Sequence, residues 1–299
     1  MNAAPAPKVG VMITMRVPSV EDVSSIIDVV ASWQRDGLPL QVHPGDLGWY
    51  QRFGGDALAS ALRVWSRAGE VVAVGFLDES ELIRMAVAPT IADDVTVATR
   101  ITDDFVSALD QALPPGTGVV EARFGPALQH ALIDQGWTRD DPWTPLHLDL
   151  SQPPAAGSLL VEVTGHESIE DRVEVEAAAF PGSSLSAERW KQMADGHAYR
   201  HARCLVGYDR NGDPVAATTI WSAGPGRPGL IEPLGVHGDH RGRGHGVAIA
   251  RAAAASLREM GASSAMVATP SSNVAAVATY RAAGFITDGD VHDFRRPHR

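Results

Sequence analysis

The stretch "GVHGDHRGRGHGVAIARAAAASLREMGA", residues 235–262, places four glycines within nine residues, directly before an alanine-rich run. Glycine loses more backbone entropy on ordering than any other residue, so the cluster needs a physical reason. A strand, a glycine-rich turn and a helix N-terminus together form an anion site, because the first amides of a helix lack intrahelical partners. Glycines would let a phosphate reach the backbone, and Arg241 and Arg243 add positive charge.

Three phosphate-binding motifs compete for this loop. A Walker A loop needs Lys-Ser/Thr after its last glycine, and "HGV" (245–247) stands there instead. A dinucleotide fingerprint needs G-x-G-x-x-G and an acidic residue ending the next strand, and neither feature is present. The pattern R-x-x-G-x-G remains, and Arg241, Gly244 and Gly246 supply it.

This loop resembles the pyrophosphate loop of the GNAT superfamily of acyl-CoA-dependent N-acetyltransferases. About thirty residues further on, "NVAAVATYRAAGF" (273–285) resembles the family's N-x-x-A-x-x-x-Y-x-x-x-G-F ending. The two motifs at this spacing form a strong signal, and the resemblance covers residues 159–299. Gly238 departs from the family, which often has proline there, and the departure affects the stiffness of the turn.

The resemblance implies acetyl-CoA as cosubstrate and no metal. The pantetheine arm would pair with the backbone of the strand before the loop, and the amides of residues 241–246 would bind the pyrophosphate. The Val236 amide would polarise the thioester carbonyl. The cofactor-binding residues are therefore expected to be Leu234, Gly235, Val236, Arg241, Gly242, Arg243, Gly244, His245, Gly246 and Asn273.

Two residues are catalytic candidates. The resemblance assigns Tyr280 as the general acid that protonates the departing thiolate, and the competing interpretation is a core tyrosine. Glu232 lies in the otherwise apolar strand "LIEPLGV" and is the candidate base, or else an edge residue facing water. It shares a face with Val236 if no bulge intervenes. Pro233 cannot donate to a ladder, which indicates a splayed sheet.

Three histidines near the loop invite a metal assignment. His237, His240 and His245 match no usual zinc spacing, and no cysteine supports them. Solvent-facing loop histidines are the expectation, with His245 near the phosphate.

The chain contains an internal duplication. The Pro/Gly-rich stretch "LSQPPAAGS" (150–158) separates two runs of similar element order, and "GW" (136–137) and "GF" (284–285) are 148 residues apart. The sequence thus predicts an α/β protein of two tandem GNAT-like domains, each a mixed, mostly antiparallel twisted sheet flanked by helices. Their expected bounds are 1–150 and 159–299, with a linker at 151–158, an arrangement that resembles mycothiol-synthase-like enzymes.

The first copy lacks the chemical residues of the second. At an offset of 148–149 residues, apolar residues occupy the five corresponding positions: Ile83, Ala92, Val95, Val97 and Leu132. Asp93 and Asp94 would place negative charge where a pyrophosphate should bind. The first domain is therefore expected neither to bind CoA through this loop nor to catalyse, but to support the second domain and wall its substrate cleft.

Charge and composition exclude several classes of function. The net charge is −11, and residues 1–150 contain 10 Lys or Arg against 20 Asp or Glu, whereas residues 151–299 contain 15 against 16. A basic nucleic-acid footprint is absent. No run reaches the length of a membrane span or a signal sequence, and the lone Cys204 fits a reducing compartment. A cytoplasmic protein is expected.

The leading hypothesis is an acetyl-CoA-dependent N-acetyltransferase acting by direct attack of a primary amine on a small molecule. The acidic first half favours a cationic acceptor, although a merely solvated acidic surface explains it too; a protein amine is the other acceptor class. The alternative function is a non-catalytic acyl-CoA-binding regulatory module. Three aromatic residues either line the acceptor pocket or belong to the core: Trp190, Tyr199 and Trp221.

Several local elements are predicted from turn and capping signals. "DRNGD" (209–213) between two strand-like runs predicts a hairpin. Ser186 is a candidate N-cap for a helix over 187–195. Helices are also predicted over 57–68 and 95–112.

Overall fold

The structure, a computed structural model, describes residues 12–107, 117–165 and 167–297. The first half of the chain begins with a strand, continues through helices into antiparallel strands, and ends with two helix–strand units. Its strands are β1 Ile13–Arg16, β2 Leu62–Arg67, β3 Glu70–Glu79, β4 Leu82–Val87, β5 Val119–Glu121 and β6 Thr138–Asp149. Its helices are α1 Val20–Trp33, α2 Pro44–Tyr50, α3 Gly55–Ala61, α4 Val95–Ser107 and α5 Pro126–Asp134.

The second half repeats this order with one helix fewer before its second strand. Its strands are β7 Leu160–Val163, β8 Ala202–Tyr208, β9 Pro214–Ser222, β10 Gly229–Val236, β11 Ser264–Pro270 and β12 Val291–Arg295. Its helices are α6 Ile169–Ala179, α7 Ala187–Ala194, α8 His245–Glu259 and α9 Val274–Ala283. The repeat confirms the predicted fold class of two tandem copies.

All twelve strands form one sheet, in the order β1-β2-β3-β4-β5-β12-β6-β11-β10-β9-β8-β7. The pairs β4–β5 and β10–β11 are parallel, and the other neighbours are antiparallel. Each half therefore has a mixed, mostly antiparallel sheet, as predicted. The parallel pair is formed by corresponding strands in the two halves, β4 with β5 and β10 with β11.

The two halves exchange their last strands. β6 pairs with β11 of the second half, with Leu148 opposite Ala265. β12 lies between β5 and β6, with Phe294 opposite Val120. The linker predicted from the sequence falls between β6 and β7, but the division of the chain near residue 150 does not coincide with a division of the sheet.

Local signals explain several elements. The Ser186 hydroxyl accepts a hydrogen bond from the Arg189 amide, which confirms the predicted N-cap of α7. β8 and β9 pair antiparallel on either side of residues 209–213, so the predicted hairpin is also confirmed. The predicted helix over 95–112 is observed as α4 up to Ser107, and residues 108–112 lie outside the described residues.

The helix predicted over 57–68 is wrong in its second part. α3 ends at Ala61, and "LRVWSR" forms β2, where Val64 and Trp65 are fully buried between β1 and β3. β-branched and aromatic residues fit a pleated, buried surface, and this preference outweighs the helical pattern. The short helix α2, which begins with "PGD", lies outside every predicted element.

α2 belongs to the first half but packs on the second. A Cβ added at Gly45 would lie 2.5 Å from a Trp221 side-chain atom, so the helix backbone approaches this indole directly. The His43 ring, at the N-cap of α2, makes a hydrogen bond of 3.2 Å from Nε2 to the Pro228 carbonyl oxygen. The largest hydrophobic cluster accordingly contains residues of both halves.

The aromatic residues Trp190, Tyr199 and Trp221 are part of this cluster. Trp190 and Trp221 are buried, and the Tyr199 ring lies between them at centroid distances of 6.1 and 6.0 Å. Of the two interpretations that the sequence left open, this packing supports the core.

None of the described helices has the length and apolar character needed to cross a bilayer.

Candidate active site

β10 and β11 separate to form a cleft. Their parallel pairing covers Gly229 and Leu230, opposite Ala265 and Met266. The pairing of β10 with β9 shifts register between Ile231 and Leu234, so a bulge lies there. Pro233 lies inside this bulge and has no amide to donate, which explains why the ladder is interrupted at this point.

The edge of β10 along the cleft presents backbone hydrogen-bonding groups. The His237 amide donates to the Val215 carbonyl on β9. In an antiparallel pair, alternate residues direct their amide and carbonyl to the same neighbour, so Gly235 also faces β9. The N–H and C=O of Val236 therefore point to the other side, into the cleft.

The cleft has a volume of about 620 Å³ and continues to the N-terminus of α8. It brings together Tyr280 and the predicted cofactor-binding residues, except Arg243, which is exposed on the loop. Sequence reasoning missed six of its lining residues: Ala179, Phe180, Val247, Ala275, Ala276 and Thr279. Thr279 directly precedes Tyr280 and could have been found from the motif, whereas the end of α6 reaches the cleft only through the fold.

The glycine loop has the geometry of an anion site. Gly244 precedes α8 with φ +84°, a conformation that side chains other than glycine rarely adopt. The first amides of a 15-residue helix consequently open onto the cleft.

The guanidinium of Arg241 donates hydrogen bonds to two walls of the cleft. Its Nη2 donates to the Ala179 carbonyl at 2.9 Å, and its Nε donates to the Val236 carbonyl at 3.4 Å. The side chain thus ties the end of α6 to β10 and keeps a positive charge at the cleft mouth. The sequence predicted the charge but not these hydrogen bonds.

Asn273 also has a structural contact of its own. Its side-chain oxygen accepts a hydrogen bond from the Ala276 amide at 3.2 Å and so caps α9, while the residue lines the cleft. This cap fixes the start of the helix that carries Tyr280.

The three loop histidines lie close together. The ring centroids of His237 and His240 are 5.3 Å apart, and those of His240 and His245 are 6.3 Å apart. Burial and the neighbouring His240 lower the pKa of His245, and Asp209 acts in the opposite direction. Within the described residues, no set of three His, Cys, Asp or Glu side chains is arranged to hold a metal ion.

Tyr280 lies on α9 at the inner end of the cleft. Its side chain is 6% exposed, and burial raises the pKa of its hydroxyl well above its usual range, with a further contribution from Glu232. The hydroxyl therefore carries its proton at neutral pH. This location is suitable for donating a proton inside the cleft.

Glu232 lies within the bulge of β10. The prediction that Glu232 shares a face with Val236 required a strand without a bulge. The register shift between Ile231 and Leu234 shows that a bulge is present, so this requirement is not met. The Glu232 side chain is half-buried and faces the seam between the two halves. Burial, and after it Asp46, raise the pKa of this carboxyl to about 8, while Arg84 acts against both. Glu232 is not among the residues that line the cleft, and its charge contributes to the raised pKa of Tyr280.

Residues 169–285, which include the cleft, the glycine loop and α9, match the sequence model of the Acetyltransferase (GNAT) family. This part of the chain is a GNAT acetyltransferase domain. This domain is an acetyltransferase domain, and GNAT-fold acetyltransferases use acetyl-CoA as the acyl donor. Comparison with curated protein sequences gives no match.

Solved structures resemble the whole chain, including the half that precedes the GNAT domain. A GCN5-related N-acetyltransferase from Sphaerobacter thermophilus is 18% identical, with a TM-score of 0.57 over 96% of this chain and 97% of that chain. A GNAT-family acetyltransferase from Colwellia psychrerythraea is 15% identical, with a TM-score of 0.61 over 96% and 100%. A tandem GNAT protein from the clavulanic acid biosynthesis pathway is 17% identical, with a TM-score of 0.58 over 95% and 98%. The tandem fold is thus shared.

The first half fills the position that corresponds to the anion site of the GNAT domain. At the start of α4, the amides of Thr96 and Val97 donate to one carboxylate oxygen of Asp94 at 3.0 and 3.1 Å. The other oxygen of Asp94 accepts from the guanidinium of Arg67. A carboxylate of the chain itself therefore occupies the helix N-terminus.

The first half also fills the groove beside β4, the strand that corresponds to β10 of the GNAT domain. The Val42 amide donates to the Met85 carbonyl at 3.3 Å, and the Val87 amide donates to the Gln41 side-chain oxygen at 2.8 Å. Because Ala88 donates to β3, Met85 and Val87 direct their backbone groups to the opposite edge. The segment between α1 and α2 thus takes the hydrogen bonds that β10 leaves open to its cleft.

Proposed function

We propose that the second half of the chain transfers an acetyl group from acetyl-CoA to a primary amine of a small molecule. The observation that carries the proposal is the cleft between β10 and β11. It joins a backbone edge at Val236, a helix that begins after Gly244 with no acidic residue in its first turn, and a buried phenol at Tyr280. These three features suit a thioester with a long amide-containing arm and a diphosphate.

Acetyl-CoA would bind along the whole cleft. Its pantetheine arm would continue the sheet next to Leu234, Gly235 and Val236, as an added strand does. Its diphosphate would accept hydrogen bonds from the amides of residues 241–246, where the dipole of α8 is positive. The charge of Arg241 at the cleft mouth favours the same anion.

The transfer requires two proton movements. The neutral amine attacks the thioester carbonyl, whose oxygen becomes an oxyanion that the Val236 amide stabilises. The C–S bond then breaks, and Tyr280 donates its proton to the departing thiolate. Glu232 accepts a proton from the acceptor's ammonium group, directly or through water, and so supplies the neutral nucleophile.

The proposed acceptor is a cationic small molecule. Asp46, Asp78 and Glu121 of the first half raise the pKa of Glu232 and Arg84 lowers it, so three carboxyl groups face one guanidinium beside the proposed base. A negative cleft raises the local concentration of ammonium groups. This field favours amines over neutral or anionic acceptors.

The first half is proposed to be non-catalytic. Asp94 occupies its helix N-terminus and Gln41 and Val42 occupy its groove, as described above. Residues 1–150 would therefore support the catalytic half and wall its acceptor side.

The test is acetyl-CoA-dependent release of free thiol from the purified full chain with a panel of small mono- and polyamines. Turnover with at least one amine, reduced at least 100-fold in Glu232→Gln at pH 8.5, is the expected result. Glu162→Gln, an exposed carboxyl on β7, is the matched control and should keep full activity. Tight binding of acetyl-CoA without turnover on any amine would contradict the proposal and favour a regulatory acyl-CoA-binding protein.

A further inference from the structure

A second cavity, with a volume of about 520 Å³, lies between the two halves of the chain. Its floor consists of residues 145–149 on β6 and residues 263–266 at the start of β11. Its walls are residues 36–40, between α1 and α2 of the first half, and residues 288–291, which lead into β12. Both halves therefore build this cavity, and it shares no lining residue with the cleft beside β10.

The floor of this cavity is the face of the sheet that is turned away from α8. His147 on β6 lies opposite Met266 on β11, and both residues line the cavity. Met266 packs against the hydrophobic cluster that contains residues of both halves, whereas the next residue, Val267, belongs to the cluster of Tyr280 and α8. Successive side chains of a strand point to opposite faces, so the cavity and Tyr280 lie on opposite sides of the sheet.

The lining of the cavity has an excess of negative charge. Four lining residues are exposed aspartates, and none of them forms an ion pair with a lysine or arginine in the described part of the chain: Asp36, Asp149, Asp288 and Asp290. The carboxylate of Asp288 is 90% exposed, and its Oδ2 lies 3.9 Å from Nδ1 of His147. No lysine or arginine lines the cavity. A cation would therefore find carboxylates that the chain has not neutralised.

Hydrogen bonds hold the walls of the cavity in place. The Ser264 hydroxyl donates to Oδ1 of Asp36 at 2.6 Å, which joins the segment after α1 to β11. The Thr144 hydroxyl donates to Oδ1 of Asp290 at 2.7 Å on the opposite wall. The hydroxyl of Ser263, another lining residue, is buried and has no hydrogen-bond partner among the described residues, so the lining leaves one polar group unsatisfied.

The remaining lining is largely apolar and includes Leu38, Pro39, Pro145, Met266 and Val291. A cavity of this size and character is suitable for a small organic molecule. An inorganic cation would leave the apolar surface in contact with water, and no set of three His, Cys, Asp or Glu side chains in the described ranges is arranged to hold a metal ion. The combination of carboxylates and hydrocarbon favours a ligand that has both a positive charge and an apolar body.

We propose that this cavity is a binding site for a small organic cation, separate from the cleft for the acyl donor. The ammonium group would lie next to Asp36 and Asp288, and the hydrocarbon body would cover Met266 and Pro145. The inference does not rest on the proposed function, because neither acetyl-CoA nor Tyr280 takes part in binding. Since both halves line the cavity, a bound cation would also stabilise the contact between them.

Binding is tested with 4-phenylbutylammonium, which joins a primary ammonium group to a hydrocarbon body. Methionines labelled with ¹³C in the methyl group report binding to the full-length protein by NMR without any acyl donor, and Met266→Leu identifies the signal of Met266. We expect a saturable shift of this signal with a Kd of about 1 mM or less. The signal of Met260, which follows α8 and packs in the cluster on the other face, should not move. 4-Phenylbutan-1-ol has the same body without the charge and should bind at least about tenfold more weakly.

Two variants test the role of the carboxylates. Asp36→Asn keeps an oxygen that can accept from Ser264, and Asp288→Asn changes an exposed side chain, so both proteins should fold normally. Each change should raise the Kd of the ammonium ligand about threefold and leave that of the alcohol unchanged. Asp134→Asn removes the same charge from the exposed end of α5, outside the cavity, and is the matched control with an unchanged Kd. An unmoved Met266 signal, equal affinity for the two ligands, or an unchanged Kd in the Asp36→Asn/Asp288→Asn double variant would overturn the inference.

Discussion

In the proposed reaction, Tyr280 is the residue that protonates the leaving group. Tyr280→Phe removes the hydroxyl and its proton but keeps the ring that packs against Phe285 at a centroid distance of 5.6 Å. We expect kcat to fall about 10²- to 10⁴-fold, the usual contribution of a positioned acid, while the Kd for acetyl-CoA stays within about twofold. Steady-state kinetics and calorimetry measure the two quantities.

Tyr208→Phe is the control for that prediction. Its hydroxyl donates to Asp171 on α6, away from the cleft, so its loss should leave kcat unchanged. Full activity in Tyr280→Phe would remove this residue as the acid.

Gly244 decides whether the loop can accept a diphosphate. Gly244→Asp would strain a backbone with φ +84° and place a carboxylate at the N-terminus of α8, as Asp94 does at α4 in the first half. We expect acetyl-CoA binding to be lost in calorimetry. Gly212→Asp is the matched control, since Gly212 has φ +88° in an exposed turn, and it should bind acetyl-CoA normally.

The sequence could predict the loop residues because their chemistry is local. The amides of residues 241–246, the helix start and Tyr280 all follow from two motifs within about fifty residues, and the structure places them in one cleft. The environment of Glu232 could not be predicted in this way. Asp46 and Arg84, whose charges act on the pKa of Glu232, are far away from it in sequence.

At the scale of elements, the short helix α2 of the first half packs directly on the second half. His43 begins this helix, is fully buried, and bonds to both Gly45 and Pro228. Its Nδ1 accepts from the Gly45 amide, so Nε2 carries the proton and donates to the Pro228 carbonyl. A second proton would remove the acceptor at Nδ1 and place a charge in the core.

His43 should make the protein sensitive to acid. Burial lowers the pKa of His43 from 6.5 to about 4. Between these values the unfolded chain binds a proton that the folded chain does not, so stability is complete above pH 6.5 and falls as the pH falls. This one group should cost about 2 kcal/mol between pH 7 and pH 5.

The comparison of His43→Asn with the parent protein isolates this contribution. Asparagine can cap α2 but does not titrate, so its urea midpoint should fall less between pH 7 and pH 5. The exposed His130→Asn is the control and should follow the parent protein. Equal acid sensitivity of His43→Asn and the parent would contradict the assignment of this histidine.

The exchange of the last strands between the two halves could not be predicted from the sequence patterns of single elements. "PLHLDL" was readable as a strand, and so was "VHDFR", but both patterns fit the edge of either sheet equally well. The pairing of β6 with β11 and of β12 with β5 depends on contacts across about 115 to 175 residues, which no local pattern records.

For the whole molecule, the filled groove of the first half predicts how many donors each chain binds. Gln41 and Val42 occupy the edge of β4, and Asp94 occupies the start of α4. Calorimetry on the full chain should therefore give one acetyl-CoA per chain. A second site that persists in Gly244→Asp would show that the first half binds the donor after all.

The position of β12 also has a consequence for the way the chain is made. On the ribosome, β5 emerges long before residues 291–295, which must later pair with it. At ordinary translation rates the interval is on the order of 10 s, and the nascent polypeptide meanwhile exposes an incomplete sheet edge to chaperones. Neither copy can close its sheet co-translationally. Folding of the enzyme is therefore completed only after its last strand has left the exit tunnel.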